Sequence, residues 1–239
     1  MASSGKVIWS FLRLIRVKNL LIIGGTQFLV YYSLILSYGI PVALKPSLFS
    51  LLVLSIVLLA AAGYVINDYM DIKADEINKG DVIVGKVIKR RAAIIWHLTL
   101  TAVGLALGVF TSYNVGQYYL VGIHLFYAFI LWYYSSHLKR QFLVGNIVVS
   151  FCIGLSVIAV PLFTMIPALN EQYSANQRSL FLIISGYAFF AFLINLIREI
   201  IKDLQDVAGD SAQGFRTMAL HVGETGTKVI LSSLFAAML

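Results

Sequence analysis

Long apolar runs alternate with short polar segments along this chain, and the period-two pattern of half-buried strands is almost absent. Crossing a bilayer core takes about 20 apolar residues in a helix. The runs near 20–38, 48–66, 92–112, 117–135, 143–166 and 179–200 meet that need, and a seventh begins near 226 and is cut by the end at Leu239. Turns are expected at Gly39-Ile40-Pro41, at Tyr113-Asn114 and from Pro167 to Gln177. The N-terminal stretch is different. Val7, Ile8, Phe11, Leu12 and Ile15 fall at helical spacing, which predicts a helix lying on the membrane surface. Arg13, Arg16 and Lys18 follow where a signal peptide would have a small-residue cleavage site. No linker or internal repeat interrupts the pattern. The prediction is one all-α, polytopic transmembrane helical bundle over residues 1–239, with about seven spans and the last incomplete.

Composition agrees. Hydrophobic residues make up 59% and charged residues 12%, with a mean hydropathy of +0.86. That charged fraction is roughly half of what a soluble domain carries, so an ordinary water-soluble fold is excluded. The net charge of +7 does not require nucleic acid. With the N-terminus cytoplasmic, every basic residue except Lys45 and Arg178 falls in a segment on the cytoplasmic side. The chain therefore reads as a multi-pass cell-membrane protein whose N-terminus and polar site loops face the cytoplasm. Cys152 is alone and the four histidines share no ligand spacing, so neither a disulfide framework nor a zinc site is indicated.

The acidic residues carry the chemical signal. Of 11, only Glu171 lies outside the segments 68–81 and 199–224. In a membrane protein, ionisable groups grouped in this way point to function. At 100° per residue, Asn67, Asp71, Asp75 and Asp68 fall at about 0°, 40°, 80° and 100°, on one helix face. Glu199, Asp203, Asp206 and Asp210 fall within about 60° of one another, with Arg198 and Lys202 on the flank. Carboxylates stacked at this spacing repel one another, so a positive partner is expected. Hard oxygen ligands with room for water suit Mg²⁺, which binds through one or two carboxylates plus substrate phosphates. Two such faces across a cavity could hold a diphosphate between metal ions.

Asn67-Asp68-x-x-Asp71-x-x-x-Asp75 resembles the first signature of the UbiA family of intramembrane prenyltransferases, and Lys202-x-x-x-Asp206-x-x-x-Asp210 resembles most of its second. The resemblance covers nearly the whole chain. It includes Asn19, Tyr134-Ser135-x-x-x-Lys139, Gly145-Asn146 and Gly214-x-x-Thr217. Arg198-Glu199-Ile200-Ile201-Lys202 looks more like the branch that makes archaeal-type ether lipids, the (di)geranylgeranylglyceryl phosphate synthases, than the branch that prenylates 4-hydroxybenzoate. The chain departs from the family after Asn78-Lys79, where Gly80 to Lys86 replace a Pro-x-Arg-Pro run. Members usually have nine spans, so this chain is expected to be shorter than its relatives at the C-terminus.

The resemblance implies Mg²⁺-dependent transfer of a prenyl group from an allylic prenyl diphosphate to a small acceptor in the membrane. Metal ligands would be Asn67, Asp71, Asp75, Asp206 and Asp210, with Asp68 a ligand or its neighbour. Lys139, Lys202 and Arg198 would contact phosphate oxygens. Asn19, Ser135, Asn146 and Asp203 would line the substrate site, and the ring of Tyr134 would shield a carbocation or serve only as an interfacial anchor. Geranylgeranylglyceryl phosphate is the preferred acceptor, and the alternative is an aromatic acceptor leading to a quinone or haem. A cation transporter would also gather acidic groups, but near the bilayer midplane on broken helices rather than at span ends.

Overall fold

The structure is a computed structural model and describes residues 4–78 and 82–238. Lys79, Gly80 and Asp81, where the first acidic segment ends, lie outside the described residues. Among the described residues the chain is helical throughout, without a strand; Val84 and Ile88 form an isolated bridge. Ten α-helices follow in order: α1 (Ser4–Leu14), α2 (Val17–Leu29), α3 (Pro46–Met70), α4 (Ile72–Asn78), α5 (Arg90–Asn114), α6 (Val121–Ser136), α7 (Val144–Thr164), α8 (Ser174–Gln205), α9 (Val207–Ala212) and α10 (Met218–Met238).

Five segments are long and apolar enough to cross a membrane: Val17–Tyr38, Pro46–Met70, Arg90–Asn114, Val144–Ala168 and Glu171–Gln205. The run predicted at 117–135 forms α6, whose 16 residues reach about 24 Å at about 1.5 Å per residue, less than a bilayer core of about 30 Å. The run predicted from 226 belongs to α10, which starts at Met218 and is kinked at Gly223, where φ is 74°. Two predicted turns shift as well. Tyr113 and Asn114 complete α5, and Ser174 to Gln177 open α8. At its other end α8 continues to Gln205, past the apolar run, and so carries Lys202 and Asp203 on a helix.

The principal core sits at the bundle end away from the acidic segments. Tyr31 stacks on Phe49 with ring centroids 4.0 Å apart and donates to the Leu44 carbonyl at 2.7 Å. Leu52, Ile56, Val160, Phe163 and Ile184 close around them. Close packing of α3, α5 and α6 depends on two glycines. A Cβ on Gly104 would lie 2.9 Å from Leu59, and one on Gly108 would lie 2.4 Å from the His124 ring. The spacing Gly104-x-x-x-Gly108 thus serves two neighbours at once, α3 and α6.

At the opposite end, α1 packs against α2 and α3. Leu14 is fully buried with Val65 and Ile72, while Ile8 and Trp9 on the other face are about 60% exposed. Val82, Val84 and Ile88 tuck into the same cluster, so the described part of the segment that departs from the family pattern packs with residues of α1 and α3.

Candidate functional site

Both acidic segments use one local design. Asp71 follows α3, at φ −92° and ψ 5°, and its N–H still donates to the Asn67 carbonyl at 3.0 Å. Asp75 then donates back to the Asp71 carbonyl at 2.8 Å. Asp206 follows α8 at φ −97° and ψ 5°, donating to the Lys202 carbonyl at 3.0 Å, and Asp210 donates to Asp206 at 3.0 Å. Each segment is therefore a helix, a one-residue kink and a second short helix, not the single straight helix that the phase argument assumes. Because the i→i−4 bonds run through the kink, the predicted face survives it.

α4 packs against α9 and brings the two segments into one polar pocket. Its walls include Asn67, Asp71, Asp75, Asp206 and Asp210, together with Lys139, Asn146, Lys202 and Asp203. Lys139 forms a part-buried ion pair with Asp71, and Asn67 Nδ2 donates to the other Asp71 oxygen at 3.0 Å. Burial pushes the Lys139 ammonium below its ordinary pKa, with Asp71 opposing the shift. Asn146 Nδ2 donates to Asp203 at 2.9 Å. Gly145 explains how Lys139 arrives here: a Cβ at that position would lie 2.8 Å from the Lys139 backbone, so only glycine lets α7 start against this corner.

The pocket carries excess negative charge. Burial, with Asp203 and Asp206 adding to it, pushes the Asp210 carboxyl up to about 7. Thr217 Oγ1 is buried in the same wall without a hydrogen-bond partner. Among the described residues no three Asp, Glu, His or Cys side chains converge tightly enough to hold an ion alone. That donor set fits Mg²⁺, which takes few protein carboxylates and completes its shell with water and phosphate.

Not every predicted site residue points into this pocket. Asp68 turns away from it to pair with Arg16 at 3.1 Å, which sits at the α1–α2 corner with φ 52° and lies over the Tyr64 ring. Ser135 bonds back to the Leu131 carbonyl at 2.9 Å and is absent from the pocket wall. Asn19 Nδ2 lies 3.4 Å from the Tyr64 hydroxyl, outside the acidic pocket. Tyr134 stands at the boundary, lining both the acidic pocket and an apolar groove that runs past Gly63, Tyr127 and Leu131. Arg198 pairs with Glu199 at 2.8 Å and faces that groove and a larger cavity of about 1030 Å³, not the acidic pocket.

Asn78 belongs to the site, and its part cannot be read from helical phase. Its Oδ1 accepts from the Gly209 N–H at 2.6 Å and its Nδ2 donates to the Asp206 carbonyl at 3.2 Å. It therefore supplies from α4 the side-chain cap that α9 lacks from Asp206, its own N-cap residue. Gly209 leaves room for it, since a Cβ there would come within 2.5 Å of the Asn78 amide. The available signal was Asn three residues after Asp75 and Gly immediately before Asp210.

The family model described as the UbiA prenyltransferase family matches residues 27–239. The chain belongs to the UbiA prenyltransferase family. This UbiA member is 35% identical over 182 residues to the digeranylgeranylglyceryl phosphate synthase of Methanoregula boonei, covering 75% of this chain and 59% of that protein. It is 33% identical over 188 residues to the enzyme of that name from Methanothermobacter thermautotrophicus, covering 77% of this chain and 60% of the relative. With the one from Thermococcus kodakarensis it shares 31% over 228 residues, covering 95% of this chain and 73% of the relative. The chain thus spans about 60% of the length of the first two. A solved structure concerned with digeranylgeranylglyceryl phosphate synthase in membranes superposes with a TM-score of 0.62 at 23% identity. That match covers 96% of this chain and 74% of that one, and it supports the all-helical membrane bundle. With five membrane-capable helices in a membrane family, the protein is multi-pass.

Proposed function

We propose that this protein transfers a prenyl group from an allylic prenyl diphosphate to a glycerol phosphate lipid, with Mg²⁺, in ether-lipid synthesis. One observation carries the reading: two acidic segments meet in a pocket that also holds Lys139 and Lys202, and this pocket opens through Tyr134 into an apolar groove. The relatives' names supply the acceptor class, and Arg198 offers a phosphate contact outside the acidic pocket.

Asn67, Asp71, Asp75, Asp206 and Asp210 would hold Mg²⁺, which when bound neutralises the charge growing on a leaving diphosphate. Lys139 and Lys202 donate hydrogen bonds to diphosphate oxygens. The allylic carbon–oxygen bond breaks and the diphosphate takes the electron pair. The acceptor hydroxyl then bonds to that carbon and releases its proton. Tyr134 places its ring beside the allylic carbon, and the apolar wall excludes water that would otherwise quench the cation. In this reading the site faces the cytoplasm, where the positive-inside pattern puts Lys73, Lys139 and Arg216.

The test supplies membranes with labelled geranylgeranyl diphosphate, Mg²⁺ and three acceptors: geranylgeranylglyceryl phosphate, 4-hydroxybenzoate and a dihydroxynaphthoate. Label should enter the glycerol phosphate lipid, and Asp71→Asn or Asp206→Asn should lower transfer at least about 100-fold at unchanged protein level. Label entering an aromatic acceptor instead, or full activity in both variants, would overturn the proposal.

A further inference from the structure

A second apolar groove, of about 270 Å³, lies between α2 and α8 with α7 beneath it. Each wall is a helical stripe. Asn19, Ile22, Ile23 and Thr26 on α2 face Ala191, Ile194, Asn195 and Arg198 on α8, both at i, i+3, i+4, i+7. The strongly polar residues gather toward one end, Asn19 on α2 with Asn195 and Arg198 on α8, and Ile22, Ile23, Ala191 and Ile194 line most of the rest, with Thr26 at the far end of the α2 stripe.

The two grooves differ in what they join. The first shares Asn67, Tyr134 and Lys202 with the acidic pocket, so a chain attached to a diphosphate there continues into it. The second shares no residue with the acidic pocket. It instead shares Asn19, Ile194 and Arg198 with the large cavity, whose wall carries Arg13, Arg16, Lys18 and Lys202 as well. Those five cations, Arg198 included, face three carboxylates in that cavity, Asp68, Asp75 and Asp206. The mouth is therefore net positive. The side chain of Arg198 is 53% exposed, and its guanidinium has five donors, of which the 2.8 Å bond to Glu199 uses one.

We infer that the α2–α8 groove holds the isoprenoid chain of a phosphate-headed lipid acceptor, with the phosphate at Arg198 and the neighbouring cations. This rests on the prenyl-transfer reading and assigns the acceptor its own place within it. A cationic mouth leading into an apolar channel complements an amphiphile with an anionic head. A small aromatic acceptor would fill the mouth and leave the channel without a role. The grooves share Ile23, Tyr64, Ile153, Ser156, Asn195 and Arg198, so two chains lying in them run side by side along this common wall, while Ile22, Thr26, Ala191 and Ile194 belong to the second groove and not the first.

The experiment compares, in membranes at saturating geranylgeranyl diphosphate, a glycerol phosphate acceptor bearing a twenty-carbon chain with one bearing a five-carbon chain. Ala191→Phe and Thr26→Leu narrow the groove without touching the acidic pocket. Each should raise KM for the long-chain acceptor about tenfold, a change of about 1.4 kcal/mol, and leave the short acceptor and the donor within twofold. Equal loss for both acceptors, or a raised donor KM, would overturn the assignment. A second arm does not need turnover. A long-chain glycerol phosphate lipid with a photoreactive group at the chain end is crosslinked to the purified protein, and the labelled residues are mapped. Labels on Ile22, Thr26, Ala191 or Ile194, which line this groove and not the first, support it. Labels confined to Gly63 and Leu131 refute it. Failure of the reading beneath it looks different: the unaltered protein would then transfer to no glycerol phosphate lipid, whatever the label map shows.

Discussion

Asn78→Ala tests whether the two acidic segments work as one unit. The substitution removes an acceptor held 2.6 Å from the Gly209 N–H and a donor 3.2 Å from the Asp206 carbonyl. That carbonyl keeps its bond from Asp210, so the larger loss is the cap on α9. Removing an Asn cap typically costs about 0.5–2 kcal/mol, a factor of roughly 2–30 in an equilibrium constant. The cost falls on the helix that carries Asp210, so the half-saturating Mg²⁺ concentration for prenyl transfer should rise by about 2–30-fold. Thermal unfolding in detergent should move by only a few degrees. Gly209→Ala provides the cross-check. In the otherwise unchanged protein its Cβ meets the Asn78 amide at 2.5 Å, an overpacking that costs about 1–3 kcal/mol. Combined with Asn78→Ala the clash is gone, and alanine's better helix propensity makes the change neutral or favourable, by up to about 1 kcal/mol. An unchanged Mg²⁺ dependence in Asn78→Ala, or additive losses in the double variant, would refute the reasoning.

Two further outcomes follow from the pocket. Lys139→Met leaves the part-buried Asp71 without its cation, so stability should fall by about 1–3 kcal/mol and transfer should be lost, while Lys139→Arg should retain part of both; urea unfolding in mild detergent and the transfer assay check this. Asp210 gives a pH signature: with its carboxyl raised from 3.8 to about 7, the metal-free folded state binds more protons than the unfolded one between those values. Stability of the metal-free protein therefore falls as pH rises through that window. Mg²⁺ bound at the carboxylate reverses this, so the rise in Tm on adding Mg²⁺ should be larger near about pH 8 than near about pH 5.5. Equal shifts at both would argue against Asp210 as a ligand.

The two acidic faces were legible because they rest on local spacing. Asp71 and Asp75, or Asp206 and Asp210, sit four residues apart, and i→i−4 bonding keeps them on one face even across a kink. Asp68 shows what helical phase leaves out. Phase alone puts it beside Asn67, but it turns to Arg16, a residue 52 positions away that only the α1–α2 corner brings near. Ser135 likewise matches a motif and yet bonds its own helix. Span ends were read less well, since apolar content marks where a helix suits a membrane and not where its hydrogen bonds stop. Thus α8 runs on to Gln205 through charged residues.

The sequence by itself determined that this is an all-helical, multi-pass membrane chain with two acidic helix faces, because apolar run length and the 3.6-residue repeat are local properties. Tertiary structure alone decided that the two faces meet. Packing of α4 on α9 needs Gly209 to lack a side chain and Asn78 to cap a helix 131 residues away, a contact that no periodicity encodes. It also decided that two apolar grooves, not one, reach Arg198, because a groove exists only where neighbouring helices diverge.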